Sequence, residues 1–398
     1  MDKGIRIIFI GNYQLDKQES MLRFAKLLCT GFQKAGYDAH IWWPKAFFGK
    51  LFKATTTGFP KWVGYIDKWI IFPFILRRRQ QRQGFKNANV RFQICDHSNS
   101  PYLKHLPTDR TCITCHDVLA IRGSMGFADA YAPASSTGKY YQQWILGNLL
   151  KANCIACNSQ NTLQQLTKLA AERNVQPKNW RVIHLSYNGE YTLMQSEEAK
   201  PLLAEAGIYT KERPFILHVG NGHIRKNRIF LLDVLAQLKD KWKGCVCFAG
   251  KVDDVDLINR ARKLQIEDRI ILLSKPSNTL LRALYSSCEA FMYPSFSEGF
   301  PWPTIEAQSC GAPVIASDIE PMPEITGTGA LHASPTDAKS FADAFLQLQD
   351  TNFRNEMIRR GFENCQRFAP PKMIDDYLLF HNLVRIQAYS STLAVEKI

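Results

Sequence analysis

Residues 294–318 read PSFSEGFPWPTIEAQSCGAPVIASD, and no other stretch limits the fold as closely. Pro303 suits the first turn of a helix, where its missing N–H is not needed, and Gly311 with Pro313 closes that helix before the apolar strand Val314-Ile315-Ala316. A short helix between two strands is the unit of a parallel α/β sheet. The loop Glu298-Gly299-Phe300-Pro301-Trp302 precedes the helix, so the free N–H groups and positive dipole end near Thr304 and Ile305 point into the space that the loop frames. An anion is expected there. Glu298 and Glu306 bracket the same place, and a carboxylate beside a phosphate is repelled by it, so the two are better suited to accept hydrogen bonds from neutral hydroxyls. Phosphates flanked by two polyols describe a nucleotide sugar.

The two glutamates with seven residues between them, within P-S-x-x-E-G-F and E-A-x-x-C-G-x-P-V, resemble the donor-site motif of retaining glycosyltransferases of family 4. The resemblance is specific over residues 215–342 and diffuse before them. It implies the GT-B architecture, an α/β fold of two Rossmann-like doubly wound domains facing across a cleft, with a C-terminal helix crossing back to the first. By motif position Glu298 would contact the transferred sugar and Glu306 the ribose, with Gly299, Phe300, Trp302, Thr304 and Ile305 completing the donor loop. Where that family usually has Gly and then Leu, this chain has Pro301 and Trp302, which removes one backbone N–H from the loop.

A chain of 398 residues exceeds what one core usually supports, so two domains are expected, over 1–189 and 190–370, with 371–398 as the crossing helix. Hydrophobic content of 45% and charged content of 22% are globular values. The 11 cysteines are scattered through apolar runs and the start Met1-Asp2-Lys3 is polar, which fits a reducing cytoplasm. Two Cys-x-x-Cys pairs, Cys112/Cys115 and Cys154/Cys157, lie in segments that read as strands. Positions three apart on a strand point to opposite faces, so neither pair can hold one ion, and free core thiols are expected.

Charge is uneven. Residues 1–190 carry 26 Lys+Arg against 11 Asp+Glu, a net of +15, and the remainder 24 against 25, a net of −1. The half that would handle an anionic nucleotide is nearly neutral, so the excess serves another partner.

In the first half, strands are expected over 5–10, 39–43, 90–95, 111–115, 153–158 and 180–185, with helices over 19–35 and 162–172. The turn Gly11-Asn12-Tyr13 lacks the Gly-x-Gly-x-x-Gly pattern, which argues against a nicotinamide enzyme; under the resemblance it borders the acceptor. His97 and the pair His116-Asp117 stand at C-terminal strand ends, where open parallel sheets bind ligands. The resemblance makes His116 an active-site residue near the transferred sugar and puts His97 and Asp117 on the acceptor side. Residues 123–138, rich in Gly, Ala and Ser, read as a loop over this edge, and 186–190 as the interdomain linker. The run from 62 to 76 is aromatic and apolar, ends in Arg77-Arg78-Arg79 and Arg82, and is too short to span a bilayer, leaving a core helix with a basic end or an interfacial element on an anionic membrane.

In the second half, the strand over 214–219 ends at Gly220-Asn221, and Arg225-Lys226 follow before a helix expected over 227–238. The resemblance assigns Lys226 to the donor diphosphate, with Arg225 substituting for an arginine that is Asn221 here, Lys275 beside the nucleobase, and Glu324 a structural role. The implied reaction is retaining transfer of a hexosyl group from a UDP- or GDP-sugar to a saccharide or lipid-linked acceptor in cell-surface polysaccharide or glycolipid synthesis. No metal and no other cofactor is expected, because Arg225, Lys226 and the helix start would stabilise the departing diphosphate. No nucleic-acid module is visible. The protein is expected in the cytoplasm, peripheral at the membrane's inner face. A catalytically silent nucleotide-sugar-binding or scaffold protein, or an epimerase or phosphorylase on the same architecture, is the alternative.

Overall fold

The computed structural model describes residues 4–81, 89–187, 190–208, 213–250 and 254–385. Among them are two six-stranded sheets whose pairings are all parallel. The first contains β1 (Arg6–Ile10), β2 (Asp38–Trp42), β3 (Val90–Ile94), β4 (Thr111–Cys115), β5 (Cys154–Cys157) and β6 (Asn179–Val182), in the order β2-β1-β3-β4-β5-β6. The second contains β7 (Phe215–Gly220), β8 (Cys245–Gly250), β9 (Ile270–Ser274), β10 (Ala290–Tyr293), β11 (Val314–Ser317) and β12 (Ala330–Ala333), in the order β12-β11-β10-β7-β8-β9. The second order is that of a dinucleotide-binding sheet, while the first is the flavodoxin-like order. Both reverse direction at an interior strand pair, β1/β3 in one and β7/β10 in the other, and ligands collect at such switch points.

Strand interiors are buried on both faces, as parallel sheets covered by helices require. Helix Glu19–Lys34 buries Phe24, Leu28 and Phe32 against one face of the first sheet. The final helix, Pro370–Phe380, adds Met373, Ile374, Tyr377 and Leu378 to that same cluster, so the chain returns to the first sheet after building the second. This helix ends earlier than the sequence suggested. Asn382 adopts φ 57°, and Leu383 N–H reaches back to Leu378 O at 2.8 Å, a left-handed cap that stops the helix. Residues 386–398 of the expected helix, Arg82, and the expected boundary at 189/190 lie outside or at the edge of the described residues.

Two local expectations are corrected. Residues 123–138 are not one loop: their ends belong to the helices Leu119–Ser124 and Ser136–Leu149, the second capped by Ser135 accepting from Gly138 N–H, and a 3₁₀ turn at Ala128–Ala130 interrupts the segment between. The helix after β7 starts later, at Phe230, because Asn227 takes φ 51° and leaves Ile224–Lys226 as a tight 3₁₀ turn. The Cys-x-x-Cys motifs lie side by side, Cys112 in register with Cys154 and Cys115 with Cys157, and all four are free thiols.

Residues 58–80 form one helical stretch with a π turn at Asp67–Ile71 between α-helices Gly58–Ile66 and Phe72–Gln80. The π turn draws Asp67 and Lys68 into the interior. Asp67 accepts Tyr13 Oη at 2.7 Å and the N–H groups of Phe47, Phe48 and Gly49 at 2.9 to 3.1 Å, so one buried carboxylate fixes the preceding loop. Lys68 bonds Asp16 at 2.6 Å. Among the described residues, no helix is long and apolar enough to cross a membrane.

Candidate active site

A cleft of about 1010 Å³ runs between the C-terminal ends of the two sheets. On the first sheet's side it is lined by Asn12, Tyr13, Asp96, His97, His116 and Asp117; Asn221, Gly250, Ser274 and Lys275 face them from the second. The sequence-predicted acceptor-side residues therefore converge, except Gly11. That glycine is needed one step behind the wall, where an added Cβ would stand 2.1 Å from the Trp43 ring.

At the β1/β3 switch point, Asn12 donates to Asp96 at 2.5 Å and accepts from Asn99 at 3.0 Å. Ser98 also donates to Asp96, through N–H at 2.9 Å and Oγ at 2.8 Å. Burial pushes the Asp96 carboxyl up, but His97, His116 and these donors outweigh it and hold it below the usual range. His97 Nδ1 lies 3.3 Å from Asp96. His116 is buried, with Phe24 edge-on to its ring at 4.8 Å. Its Nε2–H donates to the Cys95 carbonyl at 2.9 Å, and burial lowers its pKa. A neutral ring protonated at Nε2 leaves Nδ1 as an acceptor for a ligand hydroxyl.

The second switch point carries the charge. Lys226 and Arg225 follow β7, and Tyr293 and Glu298 end and follow β10. The Glu298 carboxylate takes Lys226 Nζ at 2.6 Å and Tyr293 Oη at 3.0 Å on one oxygen, and Arg225 Nη1 at 2.5 Å on the other. Arg225 also reaches the Ser297 carbonyl at 3.0 Å, and Lys226 contacts Tyr293 Oη. Burial alone would raise the Glu298 pKa, yet the two cations bring it down to about 2. Burial lowers the Lys226 pKa against the pull of Glu298. Two cations against one carboxylate leave a net positive site beside the cleft, as a diphosphate requires.

Gly299 joins the two switch points. A Cβ there would lie 2.2 Å from the His116 carbonyl oxygen and 2.6 Å from the Asp117 Cβ, so only glycine lets the Glu298 loop sit on the end of β4. Phe296 stacks on Tyr131 of the first sheet's layer at 5.0 Å beside it.

The rest of the expected donor loop turns elsewhere. Trp302 N–H donates to Phe300 O at 2.9 Å, Thr304 N–H to Pro301 O at 3.0 Å, and Pro303 has none, so the helix start does not offer these groups to an anion. The Thr304 hydroxyl is also spent on Pro301 O, at 2.7 Å. Trp302 Nε1 donates to Ser186 O at 2.9 Å with the Arg23 guanidinium 4.6 Å above its ring, which makes the indole a hinge contact. Phe300 packs on His184 and Phe368, and Ile305 is core with Ile325 and Phe368. The physical reason is common to all: this helix is almost wholly buried, and large apolar side chains complete the interdomain core. Gly220 serves packing, since its carbonyl sits 2.1 Å from where a Gly250 Cβ would be.

Glu306 is buried too, with Tyr285 Oη and Arg23 Nη2 each 3.4 Å from its carboxylate, and burial raises its pKa. Glu324 caps the helix Gln160–Ala171, accepting Gln160 N–H at 2.8 and 2.9 Å, and binds His184 at 2.9 Å, the structural role expected of it. Sequence reasoning missed Arg23, Tyr293 and the wall formed by Tyr65, Trp69 and Tyr141. Tyr293 carried a usable signal, a polar group at a C-terminal strand end like Asp96; Arg23, mid-helix, carried none.

Residues 204–364 match the family profile described as glycosyl transferases group 1. The chain is 28% identical over 284 residues to O-antigen chain mannosyltransferase B of Escherichia coli, covering 69% of this chain and 70% of that one. It is 26% identical over 312 residues to O-antigen chain mannosyltransferase RfbU of Salmonella typhimurium, covering 76% and 77%. Among solved structures, sucrose-phosphate synthase from Thermosynechococcus elongatus superposes with a TM-score of 0.69 at 17% identity, over 95% of this chain and 98% of that one. Two parallel sheets meeting at their switch points, a second half whose residues 204–364 match the group 1 profile, and relatives that are glycosyltransferases lead to one conclusion: the chain is a glycosyltransferase with the GT-B fold.

Proposed function

We propose that this enzyme transfers a mannosyl residue from a UDP- or GDP-linked donor to a saccharide carried on lipid, with retention of anomeric configuration, in cell-surface polysaccharide synthesis. The observation that carries the proposal is the buried cluster of Glu298, Lys226 and Arg225 beside His116. The mannosyl choice and the polysaccharide setting draw on the two O-antigen mannosyltransferases.

The donor diphosphate lies against Arg225 and Lys226, and Glu298, ionised at any pH well above 2, accepts from sugar hydroxyls. His116 Nδ1 accepts from another hydroxyl. The acceptor enters past Asn12, Tyr13 and His97. Its oxygen bonds to the anomeric carbon, the bond from that carbon to the diphosphate oxygen breaks, and the acceptor proton leaves with the diphosphate. Arg225 and Lys226 stabilise the charge that grows on the leaving group, the part of the reaction where fixed charges contribute most, and on this reading no metal is needed.

The test is incubation with UDP-, GDP- and ADP-sugars, mannose included, with and without EDTA, measuring nucleotide release. Release from a nucleotide mannose at equal rates with and without chelator is expected. Tight binding without release from any donor would favour a silent binding protein, and loss of release on chelation would overturn the metal-independent step.

A further inference from the structure

Exposed large apolar side chains are not spread evenly over this molecule. Among the described residues, eight of nineteen fall between positions 47 and 74. Five of these, Phe59, Trp62, Ile66, Ile70 and Phe74, recur every three or four residues along 58–80 and are 40% to 72% exposed. A core helix would bury such a stripe. This helix buries its other face instead: Phe72 and Leu76 enter the first core, and Tyr65, Lys68 and Trp69 line the cleft. Phe47, Phe48 and Leu51 extend the patch on a loop whose N–H groups are held by Asp67, so they are fixed outward.

Charge decides the partner. Lys45, Lys50, Lys53, Lys61, Arg77 and Arg78 are exposed around the patch, and the one carboxylate between 45 and 81, Asp67, is buried. The arginine run contributes less than its sequence suggests, because Arg79 stacks on Trp42 at 4.8 Å and Arg77 also bonds His105 at 3.0 Å. A second copy of the chain would bring this basic rim against itself. An apolar helical face with aromatic anchors and a basic border matches an anionic bilayer surface.

We propose that the outer face of 58–80, with the loop at 47–51, docks this protein on anionic lipid. The stripe enters the boundary between headgroups and acyl chains, and the lysines and arginines meet the headgroups. Since the opposite face of the same helix lines the cleft, docking brings the cleft alongside the membrane, within reach of a lipid-carried acceptor. The docking itself does not depend on the transfer chemistry.

The full chain is sedimented with vesicles of phosphatidylcholine alone and with phosphatidylglycerol added. Binding is expected to the anionic vesicles, to fall as salt rises, and to drop tenfold or more in a Phe59→Ser/Trp62→Ser/Ile70→Ser variant whose melting and nucleotide release match the parent. None of these three side chains lines the cleft. Val255→Ser/Leu379→Ser, exposed elsewhere, should bind as the parent does. Bromine-labelled lipid should quench part of the tryptophan emission, and Trp62→Phe should remove that part. No binding to anionic vesicles at low salt, equal binding by the triple variant, or a dimer that the triple variant abolishes in place of lipid binding would overturn the proposal.

Discussion

Lys226→Ala separates charge stabilisation from binding. The ammonium is buried, bonded to Glu298 at 2.6 Å and in contact with Tyr293, so in the resting enzyme it is already paired. A bound donor must share it with Glu298, and the gain on binding is modest. As the glycosidic bond breaks, charge accumulates on the diphosphate and the ammonium's contribution grows. One preorganised donor of this kind is worth about 10²–10³ in turnover, or ~2.7–4 kcal/mol. Single-turnover rates at saturating donor should fall by that factor, while calorimetry should find donor affinity weakened by no more than about tenfold, ~1.4 kcal/mol. Removing one partner of a buried ion pair costs ~3–5 kcal/mol when the other is left bare, and less here, because Arg225 still covers Glu298. Thermal melting monitors that loss, and Lys226→Arg should restore part of the rate by restoring the charge. Equal losses in rate and affinity would refute the reasoning and leave Lys226 a binding residue.

Glu306→Ala should weaken nucleotide-sugar binding by about 1.5–3 kcal/mol in calorimetry, the worth of hydrogen bonds to a charged group, and unchanged affinity in a folded variant would remove Glu306 from the ribose site. Gly299→Ala drives a methyl to 2.2 Å from the His116 carbonyl, so transfer should drop at least tenfold with the interdomain contact disturbed; a parental rate would show that the loop yields freely. The Glu298 pKa is about 2 when folded against an ordinary 4.5, so its ion pairs contribute stability that is complete above pH 4.5 and is lost as pH falls through about 2. That difference corresponds to about 3 kcal/mol. Unfolding free energies from pH 5 to 2 should show the parent losing that much more than Glu298→Gln, and parallel curves would contradict the pairing.

Much of the donor half was legible because its signals are local. Apolar runs and breakers located β7 and β11, as they did the six strands of the first sheet, and Lys226 and Glu298, both named as site residues, lie together at a switch point. What stayed hidden depends on contacts across the chain. Trp302 and Phe300 looked like ligand residues because they flank Glu298, and only the fold shows that Ser186, Arg23 and His184 already occupy them. The order of the first sheet follows from crossovers no local pattern encodes. Residues 62–76 read ambiguously because their stripe is interrupted by a π turn, which sends Asp67 and Lys68 inward and leaves Ile66 and Ile70 outside.

Transfer with retention is tested most directly by the product itself. A nucleotide α-mannose, a lipid-carried saccharide acceptor and the enzyme are combined, and the anomeric configuration of the new linkage is read by NMR. An α-linked product with stoichiometric nucleotide release is expected, and a β-linked product or release without glycosidic product would contradict retaining transfer.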